Sequence, residues 1–179
     1  LTWLQEKTKP VFVIATANDI SALPPELLRK GRFDEIFFVD LPTFKEREKI
    51  FNLHINKRLK KTSIAHEITA SDEICREMAA LSEGYVGAEI EQITISAMYE
   101  AFYADRGLKK EDLVKSIKET VPLSSTQREQ ILELRAWAQN RAVLATAVED
   151  REQDADNGGS DDDSGFARAQ GGRIVDFDL

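Results

Sequence analysis

Val11-Phe-Val-Ile-Ala15 is an unbroken apolar, largely β-branched run that follows Lys9-Pro10. A run without polar alternation predicts a strand covered on both faces, as in a parallel sheet. A second run, Glu35-Ile-Phe-Phe-Val39, stops at Asp40-Leu-Pro42 and predicts a second strand. Between the two, Leu23-Pro-Pro-Glu-Leu-Leu-Arg-Lys-Gly31 has prolines where a short helix would start and a glycine where it would stop. Strand, helical turn and strand in this order predict part of an α/β layer over residues 1–42.

The periodicity changes at Thr43. Thr43-x-x-Glu46 fits a capping box ahead of a stripe made by Ile50, Leu53 and Leu59. Ser71 or Asp72 caps a helix running through Leu81, with Ile74, Met78 and Leu81 on one face and Gly84 closing it. A longer helix is predicted from Gly87 to about Ala104, where Ile90, Ile93, Ala97 and Ala101 recur at helical spacing. Lys110 to Thr120 follows, with Leu113, Val114 and Ile117 inward, and stops before Pro122. Ser124-x-x-Gln127 caps a last helix expected to run to about Ala147 on the stripe Ile131, Leu134, Trp137. The expected plan is an all-α domain over 43–122, an additional helix within 123–148, and a tail over 149–179. The tail is rich in Asp, Gly and Ser and is expected to be disordered, because it cannot bury enough apolar surface to offset the entropy of ordering. Its end carries Ile174, Val175, Phe177 and Leu179, a composition suited to a docking strand or peptide.

Charge sharpens this division. The 179 residues hold 32 acidic and 24 basic side chains, a formal charge of −8. Residues 149–165 alone contribute −7, which leaves residues 1–148 nearly neutral. A chain with this balance is poorly built to grip nucleic-acid phosphates or an anionic membrane as its main business. Lys57-Arg58-x-Lys60-Lys61 is a basic cluster at a helix end, read as a solvated terminus matching the helix dipole, with a nucleic-acid contact as the lesser alternative. Cys75 is the single cysteine, which excludes an intrachain disulfide and a Cys-based zinc site and points to a reducing compartment. It sits on an apolar helical face and is expected in the core. His66-Glu67 lacks the second His of a zincin motif. No apolar run approaches the roughly 20 residues of a membrane helix, and the first residues do not read as a signal peptide. Starting at Leu1, inside what reads as the end of an amphipathic helix, the chain is expected to be a piece of something longer.

Candidate chemistry gathers where the first predicted strand ends. Asn18 follows Val13-Ile-Ala-Thr-Ala17 and is expected at the carboxyl edge of a parallel sheet, where α/β proteins bind ligands. Its amide both donates and accepts, which suits a water or a phosphate oxygen, although for this residue taken alone a turn with Asp19 is the simpler reading. Arg29 and Arg32 flank a helix end and Gly31, so both can reach one anionic target. The alternative is a pair of surface arginines bonded to Asp34 and Glu35.

Taken together, Ala15-Thr-Ala-Asn18, Leu23-Pro-Pro-Glu-Leu-Leu-Arg-Lys-Gly-Arg-Phe-Asp34, Leu41-Pro42 and Gly84-Tyr-Val-Gly-Ala-Glu-Ile-Glu91 resemble the classical clade of AAA+ ATPases over roughly residues 1–122. The resemblance implies an α/β P-loop sheet, here truncated, followed by a helical lid. It implies that Asn18 is the sensor-1 residue orienting the attacking water, and that Arg29 and Arg32 are arginine fingers acting on ATP in the adjacent subunit. It implies further that Ile50 and His54 contact the adenine ring, and that Gly87 and Ala88 occupy the sensor-2 region, where small residues let a helix start approach the ribose and phosphates. A plain helix start accounts for Gly87 equally well. No Gly-x-x-x-x-Gly-Lys-Ser/Thr loop and no apolar strand ending in Asp-Glu occurs in the 179 residues. The Mg²⁺ and most of the triphosphate are therefore expected to be held by residues outside this chain, which should be inactive alone. Leu1 to Asn18, Ala97-Met-Tyr-Glu-Ala-Phe102 and Val121-Pro-Leu-Ser124 with Leu134-Arg-Ala-Trp-Ala138 are similar to a subgroup of the family from cyanobacteria and algal plastid genomes. That subgroup implies cytoplasm or plastid stroma. The expected function is part of a homo-oligomeric ring ATPase, hexameric by the resemblance, that remodels a protein partner. The alternatives are a non-catalytic adaptor with a degenerate nucleotide site and a DNA-acting motor.

Overall fold

A computed structural model describes residues 6, 8, 10–20, 22–28, 32–60, 71–146 and 150. The expected disordered tail, apart from Asp150, lies outside the described residues, as do Arg29, Lys61 and His66-Glu67. In chain order the elements are β1 (Phe37–Phe38), α1 (Phe44–Leu59), α2 (Asp72–Leu81), α3 (Gly87–Tyr103), α4 (Lys110–Glu119), α5 (Leu123–Thr126), α6 (Arg128–Ala138) and β2 (Val143–Leu144).

Local chemistry starts each long helix. Thr43 Oγ1 accepts from the Glu46 N–H at 3.3 Å, and the Glu46 carboxylate accepts from the Thr43 N–H at 2.9 Å, so the expected capping box opens α1. Ser71 caps α2 by accepting from the Ile74 N–H at 3.4 Å. At α3 the Glu89 carboxylate turns back to the Val86 N–H at 2.8 Å, and its other oxygen accepts from the Leu123 N–H at 2.8 Å. One acid therefore starts α3 and anchors α5. Gly84 has φ +78, and a Cβ there would collide with Ser124 Oγ, so both backbone and space require glycine.

The core is the junction of α1 to α4. Phe51 and Ile55 of α1, Cys75 and Met78 of α2, Ile90, Ile93, Ala97 and Ala101 of α3, and Leu113 and Ile117 of α4 form one buried cluster with Tyr85 and Leu108. Arg47 is buried among them because its donors are used: Nε donates to Ala79 O at 3.2 Å and Nη1 to Pro42 O at 2.8 Å. The Tyr85 hydroxyl lies 2.8 Å from Ile117 O and 2.6 Å from Thr120 O, closing the end of α4. Two stripes differ in phase from the expectation. Leu53 is 61% exposed and Leu81 is exposed as well, while Phe51 with Ile55, and Cys75 with Ala79, turn inward instead. In α1 the apolar positions 50, 51, 53, 55 and 59 support two overlapping faces, and packing against α2 and α3 selects the one through 51 and 55.

The sheet is smaller than expected and is built from different segments. Residues 11–15 are not a strand, and Phe12 and Ile14 are 90% and 79% exposed. A doubly covered parallel strand needs a neighbour on each edge, and no strand pairs with this one among the described residues. Residues 22–28 form successive turns rather than a regular helix, with Leu27 N–H donating to Pro24 O at 2.9 Å and Leu28 N–H to Pro25 O at 3.2 Å. The last predicted helix ends at Ala138, not near Ala147. Beyond it, Val143–Leu144 pairs in parallel with Phe37–Phe38, through Val143 N–H to Ile36 O and Ala145 N–H to Phe38 O, both 2.9 Å. The described fold is thus mostly helical, with one short parallel strand pair.

Between α3 and α4 the chain turns through Asp105 at φ 51. Arg106 grips Asp112 through two hydrogen bonds of 2.7 and 2.8 Å, and Asp112 also accepts from the Lys109 N–H at 3.0 Å. The Arg106 hydrogen bonds, outweighing burial, hold the Asp112 carboxyl below its usual range. A depressed acid adds stability that is fully present above the unfolded value of about 3.9 and is lost as pH falls through the folded value. Arg106→Ala should cost about 1–3 kcal/mol above pH ~5 in urea unfolding, and Asp112→Asn should flatten the acid limb of stability against pH.

Candidate functional site

The helices α1 and α3 cross so that successive turns meet. Ile50 lies one turn before His54 on α1, and Gly87 lies one turn before Glu91 on α3. A Cβ on Gly87 would sit 3.7 Å from Ile50 Cδ1, which is ordinary contact, so the end of the Ile50 side chain reaches the start of α3 at this rung. At the next rung Glu91 Oε1 lies 2.9 Å from Arg58 Nη2, 3.6 Å from His54 Nδ1 and 4.0 Å from Lys57 Nζ. Gly87 is half-buried and Ala88 is exposed, at a helix start where the Glu89 carboxylate takes the Val86 N–H. The structure thus brings together Ile50, His54 and Gly87 from the expected set, with Ala88 beside Gly87.

This rung offers an apolar side chain, an imidazole and a bare helix start on one surface. The His54 side chain is 13% exposed, and its Nδ1 is buried without a hydrogen-bond partner. Such a set fits a flat heteroaromatic ring with polar edges, since Ile50 can cover a face while the imidazole meets an edge. Among the described residues no group of three His, Cys, Asp or Glu could hold a metal ion, and no helix is long and apolar enough to cross a membrane. Cys75 is fully buried, and burial followed by the charges of Glu48 and Asp72 pushes its thiol up to about 11, so it is protonated and not a nucleophile.

The remaining expected residues lie elsewhere. Asn18 is exposed, at a bend in the irregular segment that follows Val11. Arg32 Nη1 donates to Glu26 O at 2.7 Å, which folds the guanidinium over the 22–28 turns and away from the Asp34 and Glu35 partners that were the alternative. Arg29 lies outside the described residues. Two features were missed by pattern alone. Glu91 was visible only as part of a motif, and its partners Lys57 and Arg58 read as a solvated helix end. Asp40 was visible only as the end of a strand, yet its carboxylate accepts from Arg135 Nε at 3.1 and 2.9 Å and from the Leu41 N–H at 2.7 Å.

The comparisons with known proteins give matches to one family over part of the chain. Residues 1–41 match the model of the ATPase family associated with various cellular activities, AAA. Over that segment the chain is similar to the AAA family. The chain is 48% identical over 138 residues to the uncharacterized AAA domain-containing protein ycf46 of Pyropia yezoensis, covering 77% of the chain and 27% of that protein. The corresponding protein of Trieres chinensis is 44% identical over 143 residues, 80% of the chain and 27% of the protein. A proteasome-activating nucleotidase of Saccharolobus islandicus is 38% identical over 108 residues, 60% of the chain and 25% of the protein. The chain spans about a quarter of the length of these curated relatives. The AAA match covers the segment with Asn18, Arg29 and Arg32, while the stretch carrying Ile50, His54 and Gly87 lies beyond it.

The AAA segment joins the helices at Asp40-Leu41-Pro42, and that junction is held from both sides. Arg135 of α6 grips Asp40, β2 pairs with β1, and Asp150 reaches Lys45 and Lys49 of α1 at 2.8 and 3.5 Å. Part-buried charged hydrogen bonds of this type contribute about 1–3 kcal/mol. Arg135→Ala and Asp40→Ala should each cost about that much in urea unfolding, and the double variant should cost little more than either single one. Fully additive costs would show that the pair does not interact.

Proposed function

We propose that this AAA-family chain supplies the sensor, arginine-finger and adenine-contacting groups of a ring ATPase, hexameric and homo-oligomeric, that works on a protein partner. The observation carrying this reading is the approach of the Ile50 side chain to Gly87 beside His54, C-terminal to the segment 1–41 that matches the AAA model and contains Asn18, Arg29 and Arg32. When bound, ATP with its Mg²⁺ supplies a phosphoryl group whose transfer is driven chiefly by positioning and charge. The residues that hold the metal and most of the triphosphate belong outside this chain. The placing of the whole protein in cytoplasm or plastid stroma is part of the same proposal.

Each group then has a physical task. Ile50 covers a face of the base and His54 meets its edge. Gly87 and Ala88 leave the α3 start bare, so its N–H groups and positive dipole end face the ribose and phosphates. Asn18 orients a water by donating through its amide nitrogen and accepting through its oxygen. Arg29 and Arg32 present guanidinium groups to a neighbour's triphosphate, where charge develops in the transition state. In this reading Arg32 must leave Glu26 O when it turns to that neighbour.

The test uses the whole protein. Arg29→Ala and Arg32→Ala should each lower turnover by about a thousandfold or more while changing nucleotide affinity only slightly. Asn18→Ala should lower kcat more than it changes KM. Steady-state ATPase assays beside equilibrium nucleotide binding check both, and unchanged turnover in both arginine variants would overturn the assignment.

A further inference from the structure

The buried polar atoms that the fold leaves without hydrogen bonds, among the described residues, lie in one place. They are His54 Nδ1 and Arg58 Nε, one turn apart on α1, and both side chains face Glu91 of α3. Glu91 is therefore the carboxylate around which this corner is built. Arg58 Nη2 at 2.9 Å and Lys57 Nζ at 4.0 Å hold it against α1. A carboxylate has about four lone-pair positions, so these cations do not exhaust it. At 3.6 Å from His54 Nδ1 it is just outside hydrogen-bond range, and a shift of a few tenths of an ångström brings it in. Leaving Nδ1 buried and unpaired would cost about 1–3 kcal/mol, which favours that closure.

In a neutral imidazole one nitrogen donates and the other accepts, and the contact made by one fixes the role of the other. We propose that Glu91 is a positioning residue that holds His54 as the Nδ1–H tautomer and so presents Nε2 as a hydrogen-bond acceptor. The inference rests on the reading of the Ile50–Gly87 rung as a base site. An accepting Nε2 matches the 6-amino group of an adenine-type base and leaves a 6-oxopurine, whose oxygen also accepts, unpaired and opposed. Glu91 thereby selects 6-aminopurine nucleotides without touching them.

The tautomer is read directly in the 179-residue chain, without nucleotide, by nitrogen–proton correlation spectra of ¹⁵N-labelled histidine. His66→Gln assigns the His54 signals. The expected result is Nδ1–H in the unmodified chain, loss of that preference in Glu91→Ala, and its retention in Glu91→Gln, whose amide oxygen still accepts. Arg58→Leu, which removes the other close partner of Glu91, should leave the tautomer in place, a result that a purely structural role for Glu91 would not give. An Nε2–H tautomer in the unmodified chain overturns the role of Glu91 whether or not the variants fold, as does a Glu91→Ala tautomer that does not move. In the whole protein, ATP should bind about tenfold tighter than inosine triphosphate, and Glu91→Ala should erase the difference. If the tautomer is as stated but neither nucleotide binds, the base-site reading fails and the selection fails with it. If both bind equally, only the selection fails.

Discussion

Parallel strands cannot be joined by a tight turn, and the β1–β2 pair of this chain uses the whole helical assembly as its crossover. The chain leaves the pair at Phe38, passes through α1 to α6, and returns at Val143. The rung where Ile50, His54 and Gly87 meet lies within that closure. Asp40 stands where the chain leaves, and Arg135 reaches it from the last helix before the chain returns. The α1–α3 crossing that brings Ile50 to Gly87 is thus enclosed between a core of apolar side chains and a tie that joins its two ends.

The tie and the core differ in character. The core is generic: Phe51, Ile55, Met78, Ile90, Ile93, Leu113 and Ile117 are fully or almost fully buried, and the association follows from area removed from water. The polar contacts are specific. Arg47 lies inside the core only because two carbonyls receive it, and Glu89 fixes both the start of α3 and the position of α5. These contacts select one arrangement of the helices from the many that a slippery apolar interface allows. Glu91 belongs to this class but sits at the surface of the crossing, where Arg58 of α1 holds it.

Legibility in the sequence followed the range of the interaction. Thr43-x-x-Glu46 and Ser71 state their roles within four residues, and both caps form as the spacing implies. The face of α3 was equally plain, since Ile90, Ile93, Ala97 and Ala101 leave no second choice of phase. Leu53 and Leu81 misled because their helices carry apolar residues on overlapping faces, and only the neighbouring helices select between them. Val143–Leu144 was hidden inside a helix-forming stretch, and its strand exists because a partner more than one hundred residues away has an edge to offer. Val11 to Ala15 shows the converse, an apolar run whose strand character depends on neighbours that the described residues do not provide. At the candidate site, His54 and Gly87 could be named from a motif, whereas Glu91 could be assigned a role only after α1 and α3 were seen to cross.

The burial of Cys75 has a practical corollary. Its thiol is the one sulfhydryl in the sequence, is shut off from solvent, and resists ionisation at neutral pH. Thiol reagents act on exposed thiolate, so the natural chain is already a silent background for single-site labelling. A cysteine introduced on the exposed side of α3 or α6 would take up a fluorophore or spin label by itself, and the distance between the helices and the AAA segment could then be followed without first rebuilding the core.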